Sequence, residues 1–201
     1  MKLSAFIFFI LVGTTAFGQY NNSIFSVGWS TMKPLSDKEF TSKTSSSGMR
    51  IGYSKFVNER FGFGIEGGLN TLNDYVPRQT YEHPGGAITT DIYNYLYYFT
   101  LMGHAQYYFI QSKNFMPYAS LGMGVTFSQY QIYYNVYNDA DNQTSFVVRP
   151  EVGTLFRVKE YSNWGLKTSL SYDFAANKSD YFEIDNFSGI GFQLGIVLFA
   201  D

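Results

Sequence analysis

Trp164-Gly165-Leu166-Lys167-Thr168-Ser169-Leu170-Ser171-Tyr172-Asp173-Phe174 is the stretch that decides the fold of this chain. Its even positions read Trp, Leu, Thr, Leu, Tyr, Phe and its odd positions Gly, Lys, Ser, Ser, Asp. Side chains alternate faces along a strand, so one face is apolar and the other polar. A soluble sandwich would turn the apolar face inward, whereas a membrane barrel turns it toward lipid. Ten steps of roughly 3.3 Å, tilted by about 40°, rise roughly 25 Å, the height of an outer-membrane apolar band. Trp164 and Phe174 then stand near the two interfaces, where amphipathic rings are favoured. Alternation alone does not choose between the two folds; the rest of the chain does.

Residues 1–18 read as a secretory signal peptide: Lys2, an apolar run from Leu3 to Val12, and Ala16-Phe17-Gly18 ahead of Gln19. The run is too short for a membrane anchor, and with no Cys after it a lipoprotein anchor is not expected. The expected mature chain, 19–201, is one domain. It is exported yet has no Cys, so it must hold together without disulfides. Tyr and Phe are abundant, at 18 and 20 copies, with 19 Gly. The mean hydropathy is nevertheless only −0.13. Lipid-out, polar-in alternation produces that combination, and a helical membrane protein does not. The net charge of −2 and the lack of a basic cluster argue against nucleic acid as a partner.

Eight strands are expected, near 23–32, 47–57, 61–69, 91–109, 116–134, 145–158, 164–174 and 186–199. The third alternates cleanly, Phe61, Phe63, Ile65 and Leu69 against Gly62, Gly64, Glu66, Gly68 and Asn70. Residues 71–90 read as a long polar loop because they carry Asn73-Asp74, Pro77 and Pro84-Gly85-Gly86. Residues 135–144 and 175–183 read as loops as well. Short connections follow the even strands and long ones the odd strands. The expected fold is therefore all-β, an eight-stranded antiparallel up-and-down transmembrane β-barrel with tight periplasmic turns and longer outer loops. An even strand number closes the sheet and removes edges that lipid could not satisfy. A lipocalin-type barrel would need an apolar cavity, and a face this rich in Gly, Ser and charge makes a poor dry core.

Three segments carry a family resemblance. Met116-Pro117-Tyr118-Ala119-Ser120-Leu121-Gly122-Met123-Gly124 is similar to a PY-x-x-x-G-x-G strand start, Leu101 to Phe109 to the preceding Tyr-Tyr-Phe strand end, and Gly191 to Phe199 to a terminal strand. With them the chain resembles the small outer-membrane β-barrel proteins of the Bacteroidetes type, related in architecture to OmpA-like eight-stranded barrels. The resemblance implies the outer membrane of a Gram-negative bacterium and contact with outer-membrane lipid and lipopolysaccharide. It also implies handling by the barrel-insertion machinery. Such barrels commonly end on an aromatic residue, whereas here Ala200 and Asp201 follow Phe199.

The inward faces carry Arg50, Glu66, Arg149, Glu151, Arg157, Lys167 and Asp173. These could line a selectivity gate, but eight strands leave room only for side chains, which favours a paired internal network. A wide, porin-like diffusion pore is not expected. His104 faces inward on the fourth strand, and His83 sits in the expected loop; neither comes with the Ser or ligand spacing that acyl chemistry or a metal site needs. No enzyme activity, cofactor or metal is expected. Glycines at 62, 64, 122, 124 and 191–195 follow a period of two with no helix after them, so they make space and do not bind phosphate. Strands four and five, near 18 residues each, exceed the 9–11 that a crossing needs. Their hairpin should project outward and present Tyr93, Tyr95, Tyr97, Tyr130, Tyr133, Tyr134 and Tyr137 as candidates for surface binding of an extracellular ligand. The role read from the sequence is thus structural or surface-binding. A narrow channel and a lipid-modifying enzyme are the alternatives.

Overall fold

Alternation runs through every strand of the computed structural model, which describes residues 23–200 apart from 37, 39, 84–85, 111–113, 160–161, 180–181 and 183. The expected signal peptide, 1–18, and the Pro84-Gly85 part of the expected turn lie outside the described residues. The strands are β1 (Ser23–Pro34), β2 (Ser45–Phe56), β3 (Phe61–His83), β4 (Gly86–Tyr108), β5 (Phe115–Tyr134), β6 (Tyr137–Arg157), β7 (Trp164–Ala175) and β8 (Phe187–Ala200). Each pairs antiparallel with the next. β1 closes on β8 from Ser23↔Ala200 to Pro34↔Gly189, which completes an eight-stranded barrel. At that seam Gly28 faces Gly195, and a Cβ on Gly28 would stand 2.7 Å from the Gly195 Cα.

The barrel is inside-out by the standard of a water-soluble fold. One outward residue from each strand, Val27, Ile51, Ile65, Leu101, Met123, Val152, Leu170 and Ile196, is between 38 % and 62 % exposed. The inward Ser26, Arg50, Glu66, Thr100, Thr126, Arg149, Lys167 and Gln193, again one per strand, are at most 7 % exposed. A belt of exposed apolar side chains this continuous would be unstable in water and suits lipid. Inside, two apolar clusters bracket the polar middle. The end that carries the β2–β3, β4–β5 and β6–β7 connections holds Ile24, Phe56, Tyr108, Met116, Tyr118, Leu155, Val197 and Phe199. The opposite end holds Met32, Leu72, Leu96, Tyr98, Tyr130, Val147 and Phe187, joined by Phe40 and Ile184 from the connections β1–β2 and β7–β8.

Of the expected loops at 71–90 and 135–144, residues 71–83, 86–90 and 137–144 are strand. β3 runs to His83 against β4 back to Gly86, and β6 starts at Tyr137 against Tyr134. Asn/Asp content and Pro77 suggested turns, but the ladder absorbs them. Asp74 takes hydrogen bonds from Ser42, and Pro77 falls where the β3–β4 register shifts between Val76 and Gln79, a bulge that needs no N–H from it. The connections after β3 and β5 are two residues each, against four to six after β2, β4 and β6, so the expected long connections after the third and fifth strands are absent: the strands themselves take up that length. In the turn after β5, Asn135 has φ 53°, a conformation that Asn tolerates. β3, β4, β5 and β6 thus have 23, 23, 20 and 21 residues, against 12 to 14 in the other four. At a tilt of about 40° a 23-residue strand rises roughly 55–60 Å, more than twice an apolar band of about 25 Å. The projecting part is therefore a four-stranded sheet and not the β4–β5 hairpin alone.

Candidate functional site

Inside the barrel, parity brings six of the sequence-selected residues together. Arg50 on β2 donates to Glu66 Oε1 from Nε at 2.9 Å and from Nη2 at 2.7 Å, and Nη2 also reaches Glu151 Oε2 at 2.6 Å. Arg149 on β6 forks onto Asp173, at 2.6 Å to Oδ1 and 2.5 Å to Oδ2, and donates to Glu66 Oε1 at 2.8 Å. Lys167 Nζ lies 3.4 Å from Glu151 Oε1 and 3.6 Å from Glu66 Oε2. Tyr118 completes the set by donating to Glu151 Oε1 at 2.6 Å. Three cations thus face three carboxylates, and every carboxylate oxygen has a partner. Buried charge tolerates nothing less.

Arg157 departs from the expectation. It stands apart from the network at the end of the barrel where β8 finishes, its guanidinium carbon 3.9 Å from the centre of the Phe199 ring. A long side chain at the very end of β6 finds an aromatic face sooner than it finds the carboxylates of the barrel's middle. His104 does face inward, and its Nε2 lies 2.8 Å from Ser54 Oγ. That serine lies on β2, 50 positions away, so no local motif could have revealed the pair. The cavity beside them, lined by Arg50, Glu66, Met102, His104, Gln106 and others, has about 10 Å³ of free space. That is room for one water at most, so an acyl substrate has no place against the pair. His83 ends β3 and pairs through its backbone with Gly86.

The tyrosines of the projecting sheet divide by parity. Tyr93, Tyr97, Tyr133 and Tyr137 are exposed, and Tyr95 is half-buried. Their rings touch in series: Tyr95 stacks on Tyr97 at 6.2 Å and meets Tyr133 edge-on at 5.7 Å. Tyr93 lies 4.8 Å from Tyr75, which the sequence reading had placed in a loop. Tyr130 does not belong to this surface. Its even position on β5 turns it inward, where it is fully buried with its ring 5.2 Å from Phe40. Tyr134 also points inward and donates to Asp139 at 3.0 Å.

The inner face of the same sheet carries a second feature. Phe40, Val76, Gln79, Tyr81, Ile92, Asn94, Ile132 and Phe182 line a cup of about 350 Å³. The bulge after Val76 builds it. Up to Val76 the even residues of β3 face inward, but Gln79 pairs with Thr90 where Val76 pairs with Ile92, so one extra residue on β3 turns Gln79 and Tyr81 into the cup. Below the rim, Asp74 is half-buried and ion-paired to Lys43 at 2.8 Å. Partial burial works against its charge, but donors from Lys43, Ser42 and the Tyr75 amide hold the carboxyl well below the usual carboxylate range.

No family model matches the chain, and no curated protein does. Solved structures share its fold. The crystal structure of Ail, the attachment invasion locus protein of Yersinia pestis, matches with a TM-score of 0.55 at 14 % identity, over 90 % of this chain and 100 % of Ail. The same protein in complex with the heparin analogue sucrose octasulfate matches with a TM-score of 0.56, at the same identity and coverage. Neisserial surface protein A gives 0.49 at 13 % identity, over 88 % of this chain and 95 % of that one. At such identities the likeness is one of fold, that of the small eight-stranded outer-membrane β-barrels.

Proposed function

We propose that this protein is a closed, non-enzymatic barrel of the Gram-negative outer membrane that meets the exterior through the projecting sheet β3–β6. The Bacteroidetes-type resemblance of its Pro117-Tyr118 strand start is part of the same reading. The observation that carries it is the division of labour along the barrel. The lumen is blocked by an apolar cluster at each end and by a neutral ion network between them, while four strands run far past the length that a membrane needs. Side chains that fill the lumen speak against a pore. The enclosed His104–Ser54 pair speaks against lipid-modifying chemistry. Exposed tyrosines on a rigid sheet supply contact area at low entropic cost, which suits binding.

The ligand in the Ail complex is a heparin analogue, sucrose octasulfate, which is strongly anionic. Among the described residues, the outer segments of this chain mix Lys43 and Arg78 with Asp91, Asp139 and Asp141, and no basic cluster forms. The test has two arms. Refolded full-length protein in a planar bilayer should give no steady conductance. In cells, the heat-modifiable band should fractionate with the outer membrane, and added protease should cut only residues beyond the barrel wall. Stepwise ion conductance would replace this reading with the channel.

A further inference from the structure

We infer that the cup on the inner face of the projecting sheet is a binding site for a neutral carbohydrate of about one or two sugar rings. The inference rests on the reading that this end faces the exterior. Asn94 is 5 % exposed, and its Nδ2 donates to the Phe40 carbonyl at 2.9 Å. Its Oδ1 is buried in the cup wall with no hydrogen-bond partner. An unsatisfied buried amide oxygen is costly, and a ligand hydroxyl would relieve it once the Asn94 side chain turns, since the oxygen is closed to solvent as it stands. On the neighbouring strand, nearer the tip, the bulge delivers a second polar pair, with Gln79 Nε2 donating to Tyr81 Oη at 2.6 Å. The remaining walls are rings and branched aliphatics. Phe40 and Phe182 are tilted to each other at 5.4 Å, beside Val76, Ile92 and Ile132.

Those walls select among ligands. No charged side chain lines the cup among the described residues, so a sulfated, phosphorylated or carboxylated ligand would lose solvation without compensation. A purely apolar ligand would leave Asn94 Oδ1 unpaired. A sugar ring has what both halves lack: hydroxyls for Asn94, Gln79 and Tyr81, and a C–H face for Phe40. A volume of about 350 Å³ is at the small end of ligand sites and fits a terminal residue, not a long chain.

The chain has no Cys, so Val76→Cys makes a single reporter in the cup without touching its polar groups. A membrane-impermeant maleimide should label it in intact cells, and a panel of neutral mono- and disaccharides should include members that slow labelling several-fold. Sucrose octasulfate should not. In the same background Gln79→Ala and Asn94→Leu should each weaken protection about tenfold, with a heat-modifiability gel confirming the closed barrel. Labelling only after lysis would sink the orientation reading and, with it, the proposal that rests on it. No labelling in either setting, labelling that no neutral sugar slows, or protection by an aromatic peptide but not by sugars would overturn the proposal.

Discussion

Glu66→Gln is the perturbation that most directly tests the lumen. It removes one of three carboxylates that balance Arg50, Arg149 and Lys167, and its Oε1 accepts from both arginines. Breaking a buried ion pair costs about 3–5 kcal/mol because the partner charge stays buried. Here each cation keeps another carboxylate, Glu151 for Arg50 and Lys167 and Asp173 for Arg149, and the amide can still accept a hydrogen bond. The loss should therefore fall at the low end, about 3 kcal/mol, roughly a hundredfold in the folding constant. Lys167→Met alone leaves one excess negative charge and should cost a similar amount. Together the two restore balance, with Arg50 on Glu151 and Arg149 on Asp173, so the double variant should be no less stable than either single one. Reversible urea unfolding in lipid vesicles, followed by the fluorescence of the lipid-facing Trp29 and Trp164, measures all three. Simple additivity, near 6 kcal/mol for the pair, would show that charge balance does not organise the network.

Face assignment is tested on β7. Leu170→Arg puts a cation on the lipid face and should cost roughly 2–4 kcal/mol of folding in bilayers, whereas Ser169→Arg, buried beside Gln193, should disturb the lumen and not membrane insertion. Equal behaviour in an assembly assay would mean that the faces are misassigned. A Cβ at Gly124 would stand 2.6 Å from the Met102 Cα, while one at Gly103 would find nothing nearer than the Gly64 carbonyl at 3.9 Å. Gly124→Ala should therefore lower stability by about 1–3 kcal/mol and Gly103→Ala should be near neutral, read by the temperature at which the compact gel band is lost. Asp74 titrates lower in the folded chain than in the unfolded one, so its hold on Ser42 is complete above about pH 3.9 and drains away as the pH falls below that. Protection of the Ser42 amide, its exchange measured against the unstructured rate at each pH, should fall over that acid range in the native chain and already be low, without that step, in Asp74→Asn.

Period two revealed the membrane-crossing part because every strand there obeys one rule, apolar out and polar in. Lys167, Asp173, Arg50, Glu66, Arg149 and Glu151 could all be placed by counting parity. Tyr118 could have been found the same way, since Ser120, Gly122 and Gly124 share its face. Beyond the apolar belt the outer face of a strand meets water and not lipid, so the alternation fades and Asn73, Asp74 and Pro77 look like breakers. What holds those residues in strand is the ladder to β4, a non-local pairing that composition does not record. The bulge after Val76 was hidden for the same reason, and with it the inward turn of Gln79 and Tyr81. Tyr130 went astray because it was grouped by residue type and not by parity.

Arg50 and Glu151 sit on β2 and β6, strands that pair with other neighbours and meet only across the lumen. Their bond therefore reports on the order of assembly. While the sheet is still open, the two walls are apart and these charges must stay hydrated; they can exchange water for each other only as the ends curl together. Joining β1 to β8 and drying the interior are then one event, and until it happens a half-built barrel carries its own wet cleft through the bilayer.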